Sequence, residues 1–213
     1  MENSADSRAR RGRPRKAPEA QGTRQALLRV GLRYLTEKGY SSVGLEDVLV
    51  AAGVTKGSFY YHFGSKEAFG AALIAAYDDY FRAKLTVHFR WSDVTPLDRL
   101  RAFVTDAEEG MARHGFARGC LIGNLGQEMG ALPETFRDML RGVLEGWQAL
   151  LADLLEEAVN AGQLRVGVVP AQAAAFFWTG WEGAVLRAKL DRSAAPLQLF
   201  ADVFFALIEG ERI

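Results

Sequence analysis

Two short apolar segments separated by a glycine constrain the fold of this 213-residue chain more than any other feature. The first, residues 45–52, has the periodicity of a helix and ends at Gly53. The second begins after Thr55, a residue able to cap a helix, and ends at Gly64. Two short helices joined by a glycine-containing turn form a helix-turn-helix.

The second helix has the composition of a surface that reads a DNA groove. Phe59 and Phe63 are spaced four residues apart, so they can anchor one face to a core. Gly57 costs about 1 kcal/mol within a helix, and close approach of the backbone to a duplex would compensate for that cost. The polar residues that would meet DNA all carry hydrogen-bond donors: Thr55, Lys56, Ser58, Tyr60, Tyr61 and His62. A surface helix with accidental aromatic residues is the alternative.

The charge is divided unevenly along the chain. Residues 1–70 contain 12 basic and 7 acidic side chains, a net charge of +5, whereas residues 71–213 contain 14 and 19, a net charge of −5. Residues 1–20 lack apolar periodicity and are predicted to form a disordered basic arm. Arg11, Arg13 and Arg15 flank a Gly-Arg-Pro sequence similar to an AT-hook core, which predicts contacts in a DNA minor groove. A solvated tail that makes only phosphate contacts is equally compatible with these residues.

The pattern after the arm predicts an all-α protein in which two domains follow residues 1–20. Residues 21–68 form the predicted helix-turn-helix domain, and residues 69–213 form a larger helical ligand-binding and dimerisation domain, with prolines at the start of four helices. The longest uninterrupted apolar run has seven residues, too few for a membrane span. The charged N-terminus and the lone cysteine predict a cytoplasmic protein without a disulfide. No cofactor or metal is expected.

Residues 54–63, followed by Ser65-Lys66-Glu67, closely resemble the DNA-binding segment of the TetR family of transcriptional regulators. This resemblance implies that the polar residues of the second helix lie in or beside the major groove of operator DNA. It also implies that Lys66 contacts a phosphate. Gly44 departs from the family pattern of Ser or Thr, and Ser42 is the candidate to replace that cap and backbone contact.

Residues 108–116, 118–130 and 178–184 are similar to the acrylate-responsive repressor branch of the same family. The likeness implies a repressor released from a palindromic operator by a small effector, acrylate or acryloyl-CoA.

The residues themselves suggest where an effector would bind. Helical spacing places Cys120, Asn124 and Gln127 on one face, with Glu128 beside them. A later helix aligns Trp178, Trp181 and Glu182 as a second wall. The alternatives are a solvent-exposed stripe for the first set and ordinary core packing for the tryptophans. A buried Glu182 would need a partner, and Arg118, Arg187 or a ligand could be that partner.

Cys120 supports a second hypothesis. If Arg118 raised its thiolate fraction, the thiol could add to an electron-poor alkene, so that the protein would sense electrophiles covalently. A buried cysteine acting only as a small apolar filler is the competing interpretation. An enzyme using Cys120 with His114 or His88 is a weaker alternative, because no motif supplies a base and an oxyanion donor. An architectural DNA binder without ligand control is another.

The last two predicted helices carry more apolar surface than one chain needs, which predicts a homodimer. The candidate interface residues are Val185, Phe200, Val203, Phe204 and Leu207. A dimer would place two reading helices on half-sites about 34 Å apart or more.

Overall fold

The computed structural model describes residues 18–210, with side chains from residue 21 onward. This part of the chain is all-α, as predicted: it has no strand, and a single β-bridge joins Leu164 to Glu209. None of its helices is apolar over a sufficient length to cross a membrane. The nine helices of the described region are α1 (Pro18–Lys38), α2 (Leu45–Ala52), α3 (Lys56–Phe63), α4 (Lys66–Phe89), α5 (Pro96–Ala112), α6 (Leu121–Gln127), α7 (Glu134–Asn160), α8 (Pro170–Asp191) and α9 (Ala195–Ile208).

Local sequence signals set the helix ends around the helix-turn-helix. Gly39 and Gly53 follow α1 and α2 with φ of 80° and 64°, a backbone region that favours glycine. The Thr55 hydroxyl accepts the Ser58 N–H at the start of α3, and the Ser65 hydroxyl caps α4 in the same way. The predicted prolines lie at or beside the first residues of four later helices: Pro96, Pro133, Pro170 and Pro196.

Two predicted helix boundaries are wrong. Helix α1 begins at Pro18, so the last three residues of the arm predicted over 1–20 are helical. Helix α6 covers only Leu121–Gln127 and excludes Cys120 and Glu128, two residues that the predicted helical face includes, because Cys120 is an extended N-cap and Glu128 ends the helix.

Aromatic side chains fill the core where α4, α5, α7 and α8 meet. Trp147 and Trp178 are fully buried, with ring centroids 5.2 Å apart, and Phe81 lies 4.3 Å from Trp147. The indole N–H of Trp147 donates to Asp78 at 2.8 Å. Helix α4 packs against α1 as well as against α5 and α7, and therefore joins the helix-turn-helix to this core.

Candidate DNA-reading helix and small-molecule cavity

An aromatic cluster holds α3 against α4. Phe59 is fully buried, and its ring centroid lies 5.5 Å from Phe63 and 5.3 Å from Phe69. Phe63 and Phe69 are themselves 4.8 Å apart in an edge-on arrangement, a geometry that aromatic rings favour. The two phenylalanines of α3 therefore anchor one face of the helix, as their spacing predicts.

The opposite face of α3 is open. Tyr61 is 73% exposed and Tyr60 is 45% exposed, whereas Ser58 and His62 are partly buried. Lys56 is exposed and lies 3.6 Å from the Glu46 carboxylate, a solvent-screened pair that contributes little to stability.

Gly57 lies on α3 with no protein atom within 4 Å of the place a Cβ would occupy. Packing inside the protein therefore gives no reason for a glycine here.

Two other predicted DNA contacts, Lys66 and Ser42, lie in the described region. The Lys66 ammonium donates to the Val43 carbonyl at 2.9 Å and lies over the Tyr40 ring, so here it stabilises the loop between α1 and α2. Gly44 is the N-cap of α2 without a side-chain hydrogen bond, so the prediction that Ser42 replaces the missing cap is wrong. Ser42 is exposed and remains free to meet a phosphate. The predicted contacts at Arg11, Arg13 and Arg15 lie outside the described residues.

A cavity of about 200 Å³, here called the central cavity, lies between α4, α5 and α8 beside the segment that precedes α6. The apolar part of its wall consists of Trp181, Phe81, Met111 and Val185. The side chains with polar or charged groups that line it are Tyr77, Tyr80, Lys84, Arg113, His114, Arg118, Cys120 and Glu182. Among residues 18–210, no group of three or more His, Cys, Asp and Glu side chains is placed to hold a metal ion.

Three weak acids meet inside the central cavity. Burial raises the pKa of Glu182 to about 7, although a hydrogen bond with Cys120 partly offsets the effect. Burial and the Glu182 charge raise the pKa of the Cys120 thiol well above its usual value. Burial, together with Cys120 and Glu182, also raises the pKa of Tyr77 well above its usual value. The thiol and the phenol are therefore protonated at neutral pH, and Glu182 is close to its midpoint.

The predicted partners of these groups are paired elsewhere. Arg118 Nε donates to Glu37 at 2.9 Å, and Arg187 donates to Asp191 at 3.2 Å. Neither arginine neutralises Glu182. The premise that Arg118 activates the Cys120 thiol is wrong, because the pKa of that thiol is raised and not lowered.

The structure separates the residues predicted to share one binding face. Asn124 donates to the Leu35 and Thr36 carbonyls at 2.9 and 3.0 Å, and Glu128 accepts hydrogen bonds from the loop after α1. Gln127 is exposed to solvent. Of the predicted effector residues, only Cys120, Trp181 and Glu182 line the central cavity.

Trp178 lies in the aromatic core behind the cavity wall. Its buried indole N–H has no hydrogen-bond partner among the described residues. Tyr77, which lines the cavity, was not predicted, although it continues the four-residue series of Phe69, Leu73 and Phe81 along α4.

The predicted dimer residues fall into two groups. Val203 and Leu207 are half-exposed on α9, and Phe200 is partly buried. Val185 and Phe204 are buried within the chain, a correction to the predicted surface. Leu199 and Phe176 are exposed apolar side chains that the prediction omitted.

The chain is similar to known regulators over most of its length. Residues 27–73 match the family described as bacterial regulatory proteins, tetR family, and residues 96–204 match the tetracyclin repressor-like C-terminal domain. It is 56% identical over 201 residues to the transcriptional regulator AcuR of Cereibacter sphaeroides, covering 94% of this chain and 92% of that protein. It is 34% identical over 176 residues to the transcriptional repressor NemR of Escherichia coli K12, covering 83% and 88%.

Solved structures agree with this relationship. A regulatory protein TetR from Rhodobacter sphaeroides superposes with a TM-score of 0.86 at 55% identity, covering 87% of this chain and 98% of that one. The reduced form of NemR from Escherichia coli superposes with a TM-score of 0.82 at 31% identity, covering 90% and 99%. The chain belongs to the TetR family of bacterial transcriptional regulators.

Proposed function

We propose that this protein is a dimeric cytoplasmic repressor that a small effector releases from a palindromic operator. The open face of α3 would read each half-site, and the exposed apolar side chains of α8 and α9 would pair two copies. An effector in the central cavity would favour a conformation whose reading helices are wrongly spaced. A coupling of about 1 to 3 kcal/mol would lower operator affinity roughly 5- to 150-fold. No catalytic step is assigned to the chain.

The lining of the central cavity supports a short acyl effector, and this is the observation that carries the proposal. A volume of about 200 Å³ is below that of most drug-sized sites, and Trp181 and Val185 give it apolar walls. Protonated Glu182 can donate a hydrogen bond to a carbonyl or carboxylate oxygen. Lys84 and Arg113 also line the cavity, but both pair with Asp106, at 2.9 and 3.9 Å, so an anionic group would share them with that carboxylate. Acrylate, suggested by the likeness to the acrylate-responsive branch, has these features, whereas only the acryloyl end of acryloyl-CoA would enter a cavity of this size.

A gel-shift titration tests the effector. The operator would first be selected from a random DNA library with the purified protein, and the complex would then be titrated with sodium acrylate and with acryloyl-CoA. Release by one compound identifies the effector class. Retention of the operator at saturating concentrations of both would contradict the proposal.

A covalent version of the same function has one observation in its favour, since Cys120 lines the cavity beside Glu182, a possible acceptor for the thiol proton. The sulfur would bond to the terminal carbon of the alkene, and the proton would pass to the carbon next to the carbonyl. The raised pKa of the thiol makes this addition slow at neutral pH. Cys120→Ser distinguishes the two versions, because full effector-triggered release by that variant eliminates covalent sensing.

A further inference from the structure

Hydrogen bonds from residues beside the central cavity hold the C-terminal end of α1. The Thr36 carbonyl accepts hydrogen bonds from the Gly119 N–H at 3.0 Å, the Asn124 amide at 3.0 Å and the Lys189 ammonium at 3.2 Å. Asn124 also donates to the Leu35 carbonyl at 2.9 Å. The last carbonyls of a helix have no partners within the helix, so these donors fix the end of α1 to α6 and α8.

Glu128 fixes the loop that follows. Its two carboxylate oxygens accept the Tyr40 N–H at 3.1 Å and the Ser41 N–H at 2.7 Å. The carboxylate also packs against Gly39, where it leaves no room for a Cβ. Hydrogen bonds to an ionised carboxylate are stronger than neutral ones. The loop connects α1 to α2, which is followed by α3, so Glu128 holds the connection between α1 and the helix-turn-helix.

The other end of α6 lies at the central cavity. Cys120 is its N-cap and lines the cavity, and Gly123 in the first turn packs directly against the Glu182 carboxylate. The same seven-residue helix contacts the central cavity through its first turn, the end of α1 through Asn124 in that turn, and the loop after α1 through Glu128 at its C-terminal end. A shift of the first turn would therefore also move the Asn124 amide.

We propose that Asn124 and Glu128 are positioning residues that transmit the state of the central cavity to the reading helix. An effector seated against Cys120 and Glu182 displaces the first turn of α6. Asn124 and Glu128 move with it, and their hydrogen bonds carry the end of α1 and the following loop to a new position. This inference rests on the proposed function, because it needs an effector in that cavity.

The test compares operator binding with effector binding in the same proteins. Fluorescence anisotropy gives the operator Kd of the parent, Glu128→Ala and Asn124→Ala, each with and without saturating acryloyl-CoA and, separately, sodium acrylate. Calorimetry gives the binding of each compound to DNA-free protein. Glu156→Ala, at an exposed glutamate of α7, is the matched control. For each protein, the operator Kd with effector divided by the operator Kd without effector is the coupling factor.

We expect coupling factors of about 5 to 150 for the parent and the control, and of less than about 2 for Glu128→Ala and Asn124→Ala. Effector binding to DNA-free variants should stay within about 3-fold of the parent, since neither residue lines the cavity. A purely structural role would weaken operator binding equally with and without effector, and this unchanged ratio would overturn the inference while leaving the proposed function standing. If neither compound affects the parent, the proposed function fails and the inference fails with it. If Glu128→Ala does not fold, Glu128→Gln, which retains one acceptor oxygen, replaces it, and the same coupling factor of less than about 2 is expected.

Discussion

Contacts between residues close in sequence hold the proposed DNA-reading helix α3, here called the reading helix, whereas contacts between residues far apart in sequence form the central cavity. Phe59 on α3 packs against Phe63 and Phe69, and the Thr55 cap lies next to the helix it begins. Cys120 instead meets Tyr77 from α4 and Glu182 from α8, residues far away in the chain. Local spacing therefore determines the reading helix, whereas tertiary packing creates the cavity.

The two regions also differ in how they combine function with stability. The polar face of α3 is open to solvent, so its side chains can change without disturbing the core. The Glu182 carboxyl is partly buried and forms no ion pair among the described residues, and burial raises its pKa to about 7. The partly buried carboxyl at the cavity therefore costs stability, whereas the exposed polar side chains of α3 do not.

The substitution with the largest expected effect on stability removes the side chain that anchors the reading helix. Phe59→Ala removes a fully buried ring and should lower the free energy of unfolding by about 3 to 5 kcal/mol, measured by urea denaturation. Tyr61→Ala, on the exposed face of the same helix, should change it by no more than about 0.5 kcal/mol. Similar losses for both variants would contradict the division of α3 into a buried and an open face.

Measuring the free energy of unfolding over a pH series tests how much the partly buried Glu182 carboxyl destabilises the folded protein. The pKa of Glu182 rises from its ordinary 4.5 to about 7 on folding, so the folded state binds more protons between these values. The free energy of unfolding should therefore fall as pH rises through this window and remain lower above it. Glu182→Gln should remove this dependence and stabilise the protein at pH 8 by up to about 3 kcal/mol. Parallel pH profiles for parent and variant would show that Glu182 is not the cause.

The smallest effect concerns the cap of α3. Thr55→Ala removes the acceptor for the Ser58 N–H and should cost about 1 kcal/mol, measured by thermal denaturation. Ser42→Ala is the control, because Ser42 caps no helix and should change stability by less than about 0.5 kcal/mol. Equal losses at the two positions would show that the cap is not what stabilises this end of α3.

The same contrast explains how much the sequence could predict. The bounds of α2 and α3, the Thr55 cap and the anchoring phenylalanines follow from neighbouring residues, and these predictions are confirmed. Helical spacing also relates Asn124 to Cys120, but it cannot show that Asn124 faces the end of α1 and not the cavity. The place of Tyr77 in the cavity depends on how α4 packs against α8, which no local pattern records.

The central claim is that the open face of α3 reads DNA while its phenylalanines hold it in place. The most direct measurement is the operator affinity of a Lys56→Ala, Tyr60→Ala, Tyr61→Ala triple variant, determined by fluorescence anisotropy beside the parent. Circular dichroism and sedimentation should show that the variant keeps its helix content and oligomeric state. We predict a loss of at least about 100-fold, since each base contact contributes about 1 to 3 kcal/mol and the variant removes three side chains from the exposed face of α3. A folded triple variant that binds the operator as tightly as the parent would contradict the claim.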